Sequence, residues 1–182
     1  MKKSTTAALA GGLGFVLLLG GAGTLAYWSD ADAASPETIA SGTLDLGTAT
    51  SGNWTVRHGA NDTTPDAYTG PIVPGDILTK TIDVPVTMIG QNLAADLTVA
   101  NPSVLNASAA NQGLQKALKI QVVSVNGKAG QSASLTAADD KKSVPVVVSV
   151  TFPSGASSDN AAASQSLQFG VSYTLTQKPI AD

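Results

Sequence analysis

Apolar and polar residues alternate with a period of two along most of the chain beyond residue 40. Leu93, Ala95, Leu97 and Val99 fall on one face, with Ala94, Asp96 and Thr98 on the other. Val144, Val146, Val148, Val150 and Phe152 share a face in the same way. Leu167, Phe169, Val171, Tyr173 and Leu175 alternate with polar residues and Gly170 over Leu167 to Gln177, the longest clean run. Successive side chains of an extended strand point to opposite faces, so these segments predict half-buried strands. Shorter runs predict three more: Leu44 and Leu46; Leu78, Ile82, Val84 and Val86, with Lys80 out of pattern; and Leu118, Ile120 and Val122. Trp54 and Val56 add a brief one.

Breakers separate these runs: Pro65, Gly70-Pro71, Pro74-Gly75-Asp76, Asn101-Pro102, Asn126-Gly127, Pro153 and Gly155. Pro145 has no N–H for a ladder, which predicts a strand that starts or lies at an edge there. Helical periodicity is confined to Ala107–Ala117, with Asp159 to Ser166 as a turn of helix or a loop. Six to eight antiparallel strands predict an all-β fold, an antiparallel β-sandwich of jelly-roll or immunoglobulin-like type with one or two short helices. Each inward face supplies three to five aliphatic side chains. At roughly 1.5–3 kcal/mol per large side chain, that suffices for one core without disulfides.

The first 29 residues read differently. Lys2 and Lys3 precede an uncharged stretch from Ser4 to Ser29 centred on Leu13 to Leu19. A short basic start and an apolar run of this kind predict a secretory signal. The stretch is also long enough to span a bilayer, so an uncleaved anchor is the alternative. Six glycines between Gly11 and Gly23 weaken a permanent helix, and small residues cluster where a peptidase cuts. Two cut sites fit, after Ala26 (before Tyr27) and after Ala33. Removing residues 1–26 leaves 156 residues and moves the net charge from −3 to −5.

That acidic balance argues against a nucleic-acid partner, which requires a basic face. The absence of cysteine excludes disulfides, thiolate metal sites and a cysteine nucleophile. The single histidine, His58, excludes a site that needs two, and no G-x-S-x-G elbow accompanies it. Asp62 with Asp66, and Asp30 with Asp32, are oxygen-ligand pairs, yet neither lies in a 12-residue calcium loop and both read as turn-forming carboxylates. Asp139-Asp140-Lys141-Lys142 predicts an exposed loop. Three sequons begin at Asn53, Asn61 and Asn106, a pattern short enough to arise by chance. No catalytic residue, cofactor site or metal site is assigned, and the chain is not read as an enzyme.

A chain cut after Ala26 starts with Tyr27, Trp28, Ser29, Asp30, Ala31, Asp32, Ala33, Ala34 and Ser35 before its first proline. Extended, these nine residues reach roughly 30 Å at about 3.3 Å each. Two aromatic rings at a free terminus are costly to leave wet, because each buries about 150–250 Å² when docked. The segment folds back on its own domain, adds as a strand to a neighbour, or stays a frayed terminus.

Four stretches resemble the TasA/camelysin family of exported Gram-positive proteins. They are the signal ending Gly23-Thr24-Leu25-Ala26-Tyr27-Trp28-Ser29-Asp30, the run Ala40-Ser41-Gly42-Thr43-Leu44-Asp45-Leu46, the turn Val73-Pro74-Gly75-Asp76 with the strand after it, and Ser166 to Tyr173. The resemblance implies a jelly-roll domain, cleavage between Ala26 and Tyr27 by a dedicated SipW-like signal peptidase, and a subunit of extracellular or biofilm-matrix fibres. It also implies that Tyr27 to Ser35 act as the donor strand completing a neighbour's sheet. The peptidase activity sometimes attached to the family is not carried over, because H-E-x-x-H is missing.

The expected organisation is a signal peptide over 1–26, an N-terminal segment over 27–40, a β-sandwich domain over 41–178 and a tail over 179–182. The expected function is a secreted, cell-surface structural protein that self-associates, touching membrane only through an uncleaved signal. The alternatives are a monomeric adhesive module using Trp54, His58 and Tyr68 in the stretch from Ser51 to Gly70, and a metal-dependent peptidase.

Overall fold

A computed structural model describes residues 39–155 and 159–179. Its strands are β1 (Thr43–Leu46), β2 (Thr50–Ser51), β3 (Thr55–His58), β4 (Asp66–Ala67), β5 (Asp76–Ile89), β6 (Ala94–Val99), β7 (Ser103–Val104), β8 (Lys119–Val125), β9 (Lys128–Ala129), β10 (Ser132–Thr136), β11 (Ser143–Thr151), β12 (Phe169–Gly170) and β13 (Tyr173–Gln177). Every pairing is antiparallel, and the fold is all-β. One α-helix, α1 (Gln112–Ala117), comes directly after a 3₁₀ turn at Ala109–Asn111.

The larger sheet runs β4-β3-β5-β11-β8-β9, with β1 and β2 also on β5. The smaller runs β10-β6-β13. Val84, Val86 and Met88 of β5 and Val144, Val146 and Val148 of β11 meet Leu97 and Val99 of β6 and Leu135 of β10 in one core. The alternation predicted the inward faces of β5, β6 and β11, though not that of β10, since period-two apolar residues on both sheets must bury against each other.

β5 organises the larger sheet. On one side β11 pairs with it from Ile77 to Pro85. On the other, β3, β2 and β1 succeed one another along its length. Pro85 explains why that side is interrupted. Its carbonyl accepts from the Gly47 N–H at 2.9 Å, so its ring nitrogen faces the same gap between β1 and β2, where no ladder bond is lost.

One sequence expectation is met and one is corrected by register. β11 sits between β5 and β8, yet at Pro145 it has only β5 as a partner, the local edge the sequence predicts. β8 ends at Val125, opposite Val146. The Pro145 carbonyl takes the Asn126 N–H at 2.8 Å, and its nitrogen faces the turn beyond the ladder. The long run from Leu167 to Gln177 is two strands on different partners, β12 on β7 and β13 on β6. The two pairings part opposite Asn101-Pro102, where the proline has no N–H to offer a ladder.

β8 departs from its period as well. Val147 pairs with Ser124 but Val148 pairs with Val122, so Val123 is an extra residue, a β-bulge. Val122 and Val125 are buried three positions apart, while Val123 is 41 % exposed. α1 lies against the 3₁₀ turn Asp159–Ala162. Gly113 permits that approach, since a Cβ there would run into the Ala161 carbonyl oxygen.

Candidate functional site

Three features outside the shared core carry chemistry or surface: a seam between the sheets, an apolar cavity at one end of it, and a histidine–carboxylate pair.

The seam runs where β1 of the larger sheet packs beside β13 of the smaller. β1 pairs only with β5 and β13 only with β6, so among the described residues each strand has an unpaired side. Leu44, Leu46, Tyr173 and Leu175 pack against the core yet are only half-buried. Their burial is enough to push the Tyr173 hydroxyl up from its ordinary pKa. β1 enters tightly on β5: a Cβ on Gly42 would strike the Ile89 carbonyl oxygen.

Further along β5 the seam opens into a cavity of about 750 Å³. Trp54, Tyr68, Ile72, Leu114, Phe152 and Phe169 are among its walls, and among the described residues no Asp, Glu, Lys, Arg or His lines it. The Trp54 and Phe169 rings meet edge-on, with centroids 5.9 Å apart and planes at 67°. These two side chains and Leu167 also wall a second recess of about 360 Å³ that reaches Tyr173. Lys80, out of pattern in the sequence, faces this recess on the inner side of β5, its Nζ 5.3 Å from the Trp54 ring centroid. Gln165 closes the α1 wall by accepting the Leu114 N–H on Oε1 at 2.8 Å.

His58 ends β3 beside Asp76, the first residue of β5 and only 4 % exposed. The imidazole Nδ1 and Asp76 Oδ1 are 2.8 Å apart, and Asp76 Oδ2 accepts the Val73 N–H at 2.9 Å. Asp62 accepts the His58 N–H on Oδ2 and the Thr64 N–H on Oδ1. The hydrogen bond to Asp76 raises the His58 pKa, against an opposing loss of solvation and helped by the charges of Asp76, Asp62 and Asp66. Asp62 is held below its ordinary value by the two backbone N–H groups.

The sequence-derived candidates are split among these features. Trp54 and Tyr68 come together in the cavity wall, the Tyr68 N–H donating to the Trp54 carbonyl at 3.1 Å. His58 is not part of that lining and instead locks the β3–β5 junction. No serine hydroxyl bonds it among the described residues, and they contain no group of three metal-ligating side chains. Asp140, in the predicted surface loop, accepts the Met88 N–H at 2.8 Å and so secures the end of β5. Asn106, the start of one sequon, accepts the Gln168 N–H at 2.7 Å. Ala26 and Tyr27 to Ser35, with Asp30 and Asp32 among them, lie outside the described residues. The cavity itself was missed by sequence reasoning: its walls come from five separate segments, and the only hint was the pairing of Trp54 with Tyr68 in one loop. No described helix is long and apolar enough to cross a membrane.

No family model matches the chain, and neither a curated protein nor a solved structure does.

Proposed function

We propose that the protein is an exported structural subunit, of jelly-roll type, that assembles by adding the Tyr27 to Ser35 segment of one copy as a strand in the seam of the next. In this reading a SipW-like peptidase cuts between Ala26 and Tyr27 and frees the segment, and the product builds extracellular or biofilm-matrix fibres. The observation that carries it is the half-buried seam, with an unpaired side on both β1 and β13 among the described residues. Unpaired strand sides are templates for another strand, and natural sheets that are not meant to pair blunt them with charge or proline. β1 and β13 contain no lysine, arginine or proline, and Asp45 is their one charged residue.

The energetics are favourable in kind. Each added backbone hydrogen bond contributes about 1 kcal/mol net, and covering half-buried aliphatic side chains adds about 25 cal/mol per Å². A segment handed from each copy to the next makes a head-to-tail contact, which grows open filaments when its rotation does not close. Electron microscopy of the exported protein tests the reading. Filaments are expected from the wild-type chain and only dispersed particles after deletion of residues 27–35. Unchanged filaments from the deletion variant overturn it.

A further inference from the structure

We infer that the aromatic cavity is the receptor for Trp28, delivered by the N-terminal segment of a second copy, with Asp30 of that segment paired to Lys80. The inference rests on the strand-addition reading and names the contact that fixes its register.

The cavity's chemistry defines its occupant. A space of about 750 Å³ with aromatic and aliphatic walls, and no charged side chain among the described residues lining it, takes an uncharged apolar group. Within the nine-residue segment only Tyr27 and Trp28 are large and apolar. Trp28 is the bulkier, and the Trp54 and Phe169 rings in the cavity wall offer it aromatic partners.

A single cation beside the cavity fixes the register of the segment. The recess that continues the cavity holds one charged residue, Lys80, and neither ion pair among the described residues involves it. Trp28 and Asp30 lie on one face of an extended segment, about 6.6 Å apart. Leu78, in the cavity wall, and Lys80, in the recess, lie on one face of β5 with the same spacing. Trp28 at the level of Leu78 therefore sets Asp30 at the level of Lys80.

In this register Ser35, seven residues after Trp28, falls level with Pro85, about 23 Å along β5 and just short of Val86–Ile89, where β1 pairs. With Trp28 in the cavity, the rest of the segment lies along the seam toward β1 and β13.

The chain has no cysteine, so paired cysteines report on position without background. Trp28→Cys combined with Ile72→Cys is expected to give, on oxidation, a ladder of covalent multimers. Trp28→Cys combined with Leu175→Cys is expected to give none. A ladder only with position 175 overturns the cavity assignment and leaves strand addition standing. A cross-link to position 72 within single chains overturns the second-copy assignment. Cross-links at neither position, from chains that still form filaments, overturn the inference. Absence of filaments from the wild-type chain overturns the strand-addition reading itself. A charge exchange guards against a variant that fails to fold. Lys80→Glu is expected to raise the critical concentration for assembly at least tenfold, and Asp30→Lys in the same chain to restore it. No change with Lys80→Glu, or no restoration, overturns the pairing.

Discussion

His58 Nδ1 and Asp76 Oδ1 lie 2.8 Å apart and join the last residue of β3 to the first residue of β5. The pair holds the turn before β5, because the other Asp76 oxygen accepts the Val73 N–H. Val73 and Pro74 of that turn line the cavity, so the histidine supports the cavity rim without entering it.

The pair makes stability depend on pH in a defined direction. Folding raises the His58 pKa above 6.5, first through the hydrogen bond to Asp76, so the folded state holds the proton more tightly. The stabilisation is complete below about pH 6.5 and is lost as pH rises through the folded-state value. With one histidine in the chain, its NMR titration needs no assignment. The midpoint is expected above 6.5 in the wild type and lower in Asp76→Asn. The melting temperature of His58→Ala is expected to lose the wild type's fall across that window.

Removing the carboxylate has a cost of its own. Asp76→Ala leaves the Val73 N–H without its acceptor and is expected to lose about 1 kcal/mol or somewhat more in a urea titration.

The bulge in β8 gives a paired test. Val125→Thr places a hydroxyl in the core and is expected to cost about 1–3 kcal/mol. Val123→Thr, on the exposed extra residue, is expected to stay within about 0.5 kcal/mol of wild type. Equal losses by denaturant titration would show that the bulge is misplaced.

Gly113 tests how α1 is held. Gly113→Ala is expected to cost about 1–3 kcal/mol, because the new methyl meets the Ala161 carbonyl and the two elements must separate. Gly70→Ala has nothing within 4 Å of its added carbon and is expected to be near neutral by the same measurement.

Much of the fold was legible in the sequence. β5, β6 and β11 announced themselves by alternation, because each has one face on a shared core. The departures have local causes that no period reveals. Val123 is an insertion against β11, and β12 parts from β13 opposite Asn101-Pro102, where the proline has no N–H to donate. β10 was missed because Ala133 and Leu135 are its only apolar inward residues. Lys80 was legible as an exception, but its reason, the ring of Trp54, lies in the loop before β3. The cavity was not legible, since its walls converge only when Trp54, the stretch from Tyr68 to Leu78, Leu114 with Leu118, Val150 with Phe152, and the stretch from Ala162 to Phe169 are brought together.

Amide hydrogen exchange of the assembled protein, compared with the chain lacking residues 27–35, tests the central claim of strand addition in the seam most directly. Tyr173–Gln177 are expected to gain protection in the assembled form while the exposed turn at Asn126-Gly127 stays unchanged. Assemblies in which that strand exchanges as fast as in the deletion variant would contradict it.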